Sequence, residues 1–264
     1  MIWIVPKPTD TEDDNSTGAV IQEIERAGGC CRLLDIDRVD PLRSGIARDL
    51  IWVCGMKQDS HQFETLCILA LDNRVINTPE AIATCASKAM TTARIKKHGI
   101  NTPETLFTPS LQQASRFIEA HGSVVFKPLY GFDGNGIRRI ASTGELDDPP
   151  YYLQEYIQND RDFRVFVIGG TAVGAIMRIS DTLTHNIHQG GIGKPVEIDA
   201  DMREIAEAAA FAVGIDYCGV DLLLDERTYT VLEVNGTPNW HCMSTPIPRL
   251  LAAYLIEKER ELRA

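Results

Sequence analysis

Val220-Asp221-Leu222-Leu223-Leu224-Asp225, followed after a short turn by Thr230-Val231-Leu232-Glu233-Val234-Asn235-Gly236-Thr237-Pro238, reads as two apolar strands carrying three side-chain oxygen ligands. Alternation puts Glu233 and Asn235 on one face, and Asp221 of the neighbouring strand can join them. Hard carboxylate and amide oxygens suit Mg²⁺ ions that also hold the phosphates of a nucleotide. The competing reading is two sheet-edge carboxylates in water. The apolar residues on either side of each ligand argue against it.

Upstream of this pair, Asp162-Phe163-Arg164-Val165-Phe166-Val167-Ile168 and Ala172-Val173-Gly174-Ala175-Ile176-Met177-Arg178 flank Gly169-Gly170 and read as a hairpin. Its alternation projects Arg164 and Arg178 from one surface, where each offers a two-pronged fork suited to a carboxylate. A surface ion pair is the alternative for either arginine. Tyr151 to Ile157 reads as a strand running into a linker. Ser123 to Pro128 is a strand with Lys127 at its end. The segment Tyr130-Gly131-Phe132-Asp133-Gly134-Asn135-Gly136 follows, and the spacing of Gly131, Gly134 and Gly136 makes a hairpin loop whose backbone N–H groups can close over phosphates. A helix over 84–98 carries Lys88, and a glycine-rich loop is expected from Asn186 to Lys194. Helices over 111–121, 201–213 and 246–262 complete this part.

The first ~80 residues alternate strand and helix, as a small parallel-sheet domain does. Strands are expected at 1–6, 30–37, 50–54 and 75–77, with helices at 20–27 and 61–71. In place of a glycine-rich nucleotide turn after the first strand stands Pro8-Thr9-Asp10-Thr11-Glu12-Asp13-Asp14, so this domain is a poor dinucleotide binder. That acidic loop reads either as a solvated face or as a selector of an amine-bearing substrate.

The bulk numbers narrow the function classes. The 264 residues suffice for one large domain or two to three small ones, and the composition, 44% hydrophobic and 24% charged, is that of a globular protein. A formal net charge of -11 opposes binding to nucleic acid or an anionic membrane, so an anionic substrate has to meet a local basic cleft. No stretch has the length of a membrane span or of a signal peptide. Seven cysteines, mostly in apolar runs and without a Cys-x-x-Cys pair, are expected to be reduced core residues of a cytoplasmic protein. His185 and His188 lack ligand-spaced partners for zinc.

Taken in order, Lys88, Lys127 with its glycine loop, Gln154-Glu155-Tyr156-Ile157, Asp162-x-Arg164, Arg178, Asn186 with Gly190-Gly191, Asp221 and Glu233-x-Asn235 resemble the ATP-grasp carboxylate–amine ligases, in particular the RimK-like glutamate ligases. The resemblance spans about residues 84 to 245. It implies an α/β and α+β chain: a pre-ATP-grasp domain at 1–83, a central lobe at 84–153 and a C-terminal lobe with the metal site at 154–264, with ATP between the lobes. It implies that Lys88 and Lys127 contact phosphates, that Glu155, Tyr156 and Ile157 pair with adenine, that Asp162 sits at the ribose, and that Asn186 lies near phosphates and metals. Asp221, Glu233 and Asn235 would bind two Mg²⁺, for which Mn²⁺ can substitute, and Arg178 would steady an acyl phosphate. A homo-oligomer is common in that family, and no apolar stripe in the sequence fixes one.

The expected reaction activates a carboxylate as an acyl phosphate and joins it to an amine, with L-glutamate the expected amino acid and a coenzyme-like small molecule the expected acceptor. Two alternatives stand beside it: the same chemistry on a protein or peptide C-terminus, and a nucleotide-binding regulatory protein without catalysis. A kinase on the same fold would differ by leaving phosphate on its acceptor. The chain departs from the family at Gly236-Thr237-Pro238-Asn239-Trp240-His241-Cys242, where many relatives have a Ser-Pro-Gly turn, and at bulky Phe132 and charged Asp133. Trp240 could stack on a flat ring and His241 could act as a base, against the alternative of a packed tryptophan and a backbone-bonded histidine.

Overall fold

The computed structural model describes residues 1–57, 59–130, 135–180, 191–240 and 242–264. Strands β1 (Ile2–Val5), β2 (Cys31–Leu33), β3 (Leu50–Val53) and β4 (Arg74–Ile76) form a parallel sheet in the order β2-β1-β3-β4. The chain therefore steps from one side of β1 to the other, and a crevice opens where β1 and β3 end. Helix α1 (Ser16–Arg26) starts at Asn15, whose side chain accepts from Gly18 N at 2.6 Å, and Asp10 accepts from Ser16 N and Thr17 N at 3.0 Å each. Part of the acidic loop thus caps a helix. Helix α2 (Ser60–Leu69) packs on the opposite face through Leu66 and Leu69.

The expected single helix over 84–98 is two helices, α3 (Pro79–Ala86) and α4 (Lys88–Lys97). Ser87 divides them, because its extended backbone ends α3 while its hydroxyl accepts from Met90 N and starts α4. Lys88 consequently opens a helix instead of riding in the middle of one.

A second, antiparallel sheet has the order β5-β8-β6-β7, from β5 (Thr105–Thr108), β6 (Val124–Phe126), β7 (Arg138–Ile140) and β8 (Tyr151–Glu155). Helix α5 (Leu111–His121) covers one face through Ala114 and Ile118. The third sheet, β11-β10-β9-β12-β13, is built from β9 (Arg161–Ile168), β10 (Thr171–Ile179), β11 (Ile192–Val196), β12 (Tyr217–Asp225) and β13 (Thr228–Asn235). Strand β5 was not expected from the sequence, and β11 occupies the end of a segment expected to be loop. Both are short edge strands; β11 contains glycine and proline, which mask a strand pattern.

Helix α6 (Ala200–Val213) begins at Asp199 and ends at Gly214, at φ +74, and buries Ala206, Ala209, Ala210 and Val213 against Val165, Val167, Cys218, Val220 and Val231. On the other face of that sheet, Phe166, Ile168 and Tyr217 pack on the parallel sheet and on α7 (Ile247–Glu261). Further along the same face the apolar residues give way to the charged ones described next. Among the described residues no helix is long and apolar enough to cross a membrane.

Candidate active site

Asp221 stands directly opposite Glu233 on β13 and directly opposite Arg164 on β9, while Arg178 of β10 stands opposite Asp162 of β9. One face of the third sheet thus carries a row of alternating charge. A bulge next to Asp221, after which Leu222 pairs with Val231, places the extra residue Leu232 in β13. It breaks strict alternation, so that Leu232, Glu233 and Asn235 all line the same cavity.

That cavity has a volume of about 1450 Å³. Lys127, Gln154 and Glu155 of the second sheet line one side, the charged row lines another, and Lys7, Gly55 and Met56 at the ends of β1 and β3 line a third. Lys88 lies on its wall at the start of α4. The structure therefore brings together Lys88, Lys127, Glu155, Tyr156, Ile157, Asp162, Arg164, Arg178, Asp221, Glu233 and Asn235. Gly131, Gly134 and Asn186, along with Phe132, Asp133, His185, His188 and His241, lie outside the described residues. Gly136 is described, with φ +75 and with the space for a Cβ taken by Pro128 Cγ at 2.8 Å, so a side chain there meets both strain and overlap.

The arginines are not surface groups. Arg164 Nε and Nη2 donate to Asp221 Oδ1 and Oδ2 at 2.7 and 2.8 Å. Arg178 Nε and Nη2 donate to Asp162 Oδ1 and Oδ2 at 2.6 and 2.8 Å, and Nη2 also reaches Asp221 Oδ2 at 3.0 Å. Both forks expected to grip a substrate carboxylate are occupied by carboxylates of the chain itself. Burial alone would push the Asp221 carboxyl up, but Arg164 and Arg178 hold it down at about 2. Asn235 Nδ2 lies 3.2 Å from Asp221 Oδ2, which leaves its amide oxygen as the group to face a cation.

Lys127 is buried and donates to Gln154 Oε1 at 2.5 Å. Desolvation lowers its ammonium to about 8, with Glu233 and Asp221 opposing and Lys88 adding to the shift. Among the residues expected to pair with adenine, Glu155 Oε2 accepts from Glu104 N at 2.9 Å, and the Tyr156 ring lies 4.0 Å beneath the Arg139 guanidinium. Asn159, which the sequence did not single out, lines the cavity with a buried Oδ1 that has no partner among the described residues. An orphaned acceptor there suits a donor on a nucleotide. The oxygen set of Asp221, Glu233 and Asn235 likewise fits Mg²⁺. Glu104, His121 and Glu155 place ligand-type atoms within 4.8 Å of one another; His121 Nε2 lies 3.4 Å from Glu104 Oε2, and Glu155 Oε2 accepts from the Glu104 backbone N–H at 2.9 Å. Trp240 sits edge-on to Phe166 at 6.1 Å, packed against the core beneath the parallel sheet, as a packing residue would.

The RimK-like ATP-grasp domain family matches residues 85–258. The chain belongs to the RimK-like ATP-grasp family. It is 32% identical over 199 residues to a tetrahydromethanopterin:alpha-L-glutamate ligase of Methanococcus maripaludis, covering 70% of this chain and 68% of that protein. A ligase described in the same words from Methanocaldococcus jannaschii is 30% identical over 237 residues, covering 83% of this chain and 80% of its own length. In fold, the ATP-grasp ligase PsnB complexed with minimal precursor, Mg and ADP superposes with a TM-score of 0.77 at 20% identity over 98% of each chain. This RimK-like chain is accordingly an ATP-dependent carboxylate–amine ligase, with two ATP-grasp lobes preceded by a parallel sheet.

Proposed function

We propose that this RimK-like ligase joins an amine to a carboxylate presented by an acceptor of peptide size. The observation that carries this reading is the extent of the cavity, about 1450 Å³, which runs on from the buried Lys127 to the ends of β1 and β3 and so leaves room beyond the nucleotide for an extended acceptor. PsnB, complexed with its precursor, supports an acceptor of this kind. A second reading, transfer of L-glutamate to a coenzyme-like small molecule, is supported by the tetrahydromethanopterin:alpha-L-glutamate ligases.

In either case the nucleotide lies between the lobe of residues 84–153 and the lobe of residues 154–264. Two Mg²⁺ held by Asp221, Glu233 and Asn235 would neutralise phosphate charge, with Mn²⁺ able to substitute. Lys88 and Lys127 present cations to the phosphates; Glu155, Tyr156, Ile157 and Asn159 line the adenine end. A substrate carboxylate oxygen bonds to the γ-phosphorus as the bond to ADP breaks. An amine nitrogen then bonds to the acyl carbon, phosphate leaves with the C–O electron pair, and the amine proton passes to solvent. Arg178 stabilises the charge that develops on the transferring group. The ATP requirement and the free thiols support a cytoplasmic location.

The test is mass spectrometry after incubating the purified chain with Mg²⁺, ATP and isotopically labelled L-glutamate, in one arm with peptides bearing free carboxylates and in the other with small-molecule extract. Labelled peptide supports the first reading and a labelled metabolite the second. ADP with no label in either arm means a different amine, and no ADP in any arm overturns both.

A further inference from the structure

Arg178 and Asp162 are directly opposed residues of neighbouring strands, 3% and 5% exposed, joined by two parallel hydrogen bonds of 2.6 and 2.8 Å. Two prongs fix the plane of a guanidinium as well as its distance, which a single bond cannot do. The third contact, from Nη2 to Asp221 Oδ2 at 3.0 Å, ties the same group to the metal-ligand strand. Nε and Nη2 are thereby committed, and Nη1 is the nitrogen left without a bond among the described residues, on a side chain that lines the cavity.

We propose that Asp162 is a positioning residue for the ligase reaction, holding Arg178 so that Nη1 is presented to the phosphoryl group in transfer. The family resemblance gives Asp162 to the ribose, whereas here each of its oxygens takes one prong of Arg178. A long cationic side chain left free would have to be ordered in every turnover, and catalysis by charge gains most from donors already aimed. Arg164 stands in the same relation to Asp221, so the row pairs each cation with a carboxylate that orients it. The assignment rests on the ligase reading above.

The experiment compares the full chain with Asp162→Asn by titration calorimetry, using Mg-ADP, Mg-ADP with aluminium fluoride as a stand-in for the transferring phosphoryl group, and Mg-2′-deoxy-ADP. The unmodified chain is expected to bind Mg-ADP more tightly when aluminium fluoride is present. Asp162→Asn is expected to bind Mg-ADP within about threefold of the unmodified chain and to keep its preference over 2′-deoxy-ADP, while losing about tenfold or more of the aluminium fluoride effect. Retention of that effect would overturn the assignment. Loss of the preference over 2′-deoxy-ADP would return Asp162 to the ribose. Should Asp162→Asn not fold, Asp162→Glu keeps the charge, lengthens the arm by one methylene and is expected to show the same pattern. An unmodified chain that binds no Mg-ADP overturns the ligase reading itself; one that binds it without an aluminium fluoride effect overturns only the role of Arg178 and Asp162.

Discussion

Lys127 Nζ donates to Gln154 Oε1 at 2.5 Å from inside the wall of the cavity, and Gln154 Nε2 passes the chain of bonds on to Thr105 Oγ1 at 3.2 Å. An amide oxygen can hold the ammonium in place but cannot neutralise it, so the cation stays available for a phosphate. Its low proton affinity, about 8 against an ordinary 10.5, is the measure of its desolvation.

Nucleotide affinity should therefore fall with alkali. As pH rises through about 8 the free protein loses the Lys127 proton, and the dissociation constant for Mg-ADP is expected to climb by up to about tenfold per pH unit. Lys127→Met should bind weakly and with a flatter profile between pH 7 and 9.5, read by calorimetry. The stability effect has the opposite sign. Between about 8 and 10.5 the unfolded chain holds a proton that the folded chain has released, so this group makes the fold more stable as pH rises, by about 3 kcal/mol at most. Urea unfolding of the unmodified chain and of Lys127→Met across that window checks it.

Asp221 and Glu233 are cross-strand neighbours with different duties, and substitution should separate them. Asp221→Asn leaves Arg164 and Arg178 buried beside a neutral amide, which is expected to cost about 3–5 kcal/mol in urea unfolding. Glu233 makes no ion pair among the described residues, so Glu233→Gln should change stability by less than about 1 kcal/mol. It should nonetheless abolish the tightening of ADP by Mg²⁺ and with it ATP turnover. Retained turnover in Glu233→Gln would remove this residue from the metal set.

The readable part of the site was the part that lies on regular strands. Arg164, Arg178, Asp221, Glu233 and Asn235 follow from period-two alternation in apolar surroundings and Asp162 from the family resemblance, and their meeting on one face needs no more than neighbouring strands in register. Sequence could not show who pairs with whom. Arg164 and Arg178 looked like forks for a substrate, and only the cross-strand register gives them to Asp221 and Asp162. The bulge at Leu232 has no local signature, and Asn159 in the interlobe linker is one polar residue among several. The break at Ser87 was legible in principle, since a serine between two apolar-periodic runs is a helix start signal. Trp240 was ambiguous because a tryptophan in a turn carries no mark of which side it packs on; Phe166, 74 positions away, decides it.

Asn77 joins the parallel sheet to the strands that carry Asp221, Glu233 and Asn235, and nothing around it in sequence announces that role. Fully buried, it donates from Nδ2 to Tyr217 O at 2.9 Å and Gly236 O at 2.7 Å, and its Oδ1 accepts from Asp216 N at 3.1 Å and Tyr217 N at 3.0 Å. One amide thus satisfies backbone groups at the start of β12 and just past the end of β13, the two strands that carry Asp221, Glu233 and Asn235. Asn77→Ala should leave those groups unpaired at a cost of about 3 kcal/mol or more, seen as a thermal midpoint lower by at least about 5 °C. Because Gly236 follows Asn235 directly, the same substitution should weaken Mg-ADP binding even at temperatures where the chain stays folded. Asn77→Asp is the informative companion: it keeps the two accepted bonds, loses the two donated ones and buries a charge, so it should be at least as destabilising as alanine. A midpoint unchanged in either variant would mean that the two sheets are held together by the Phe166, Tyr217 and Leu251 packing alone.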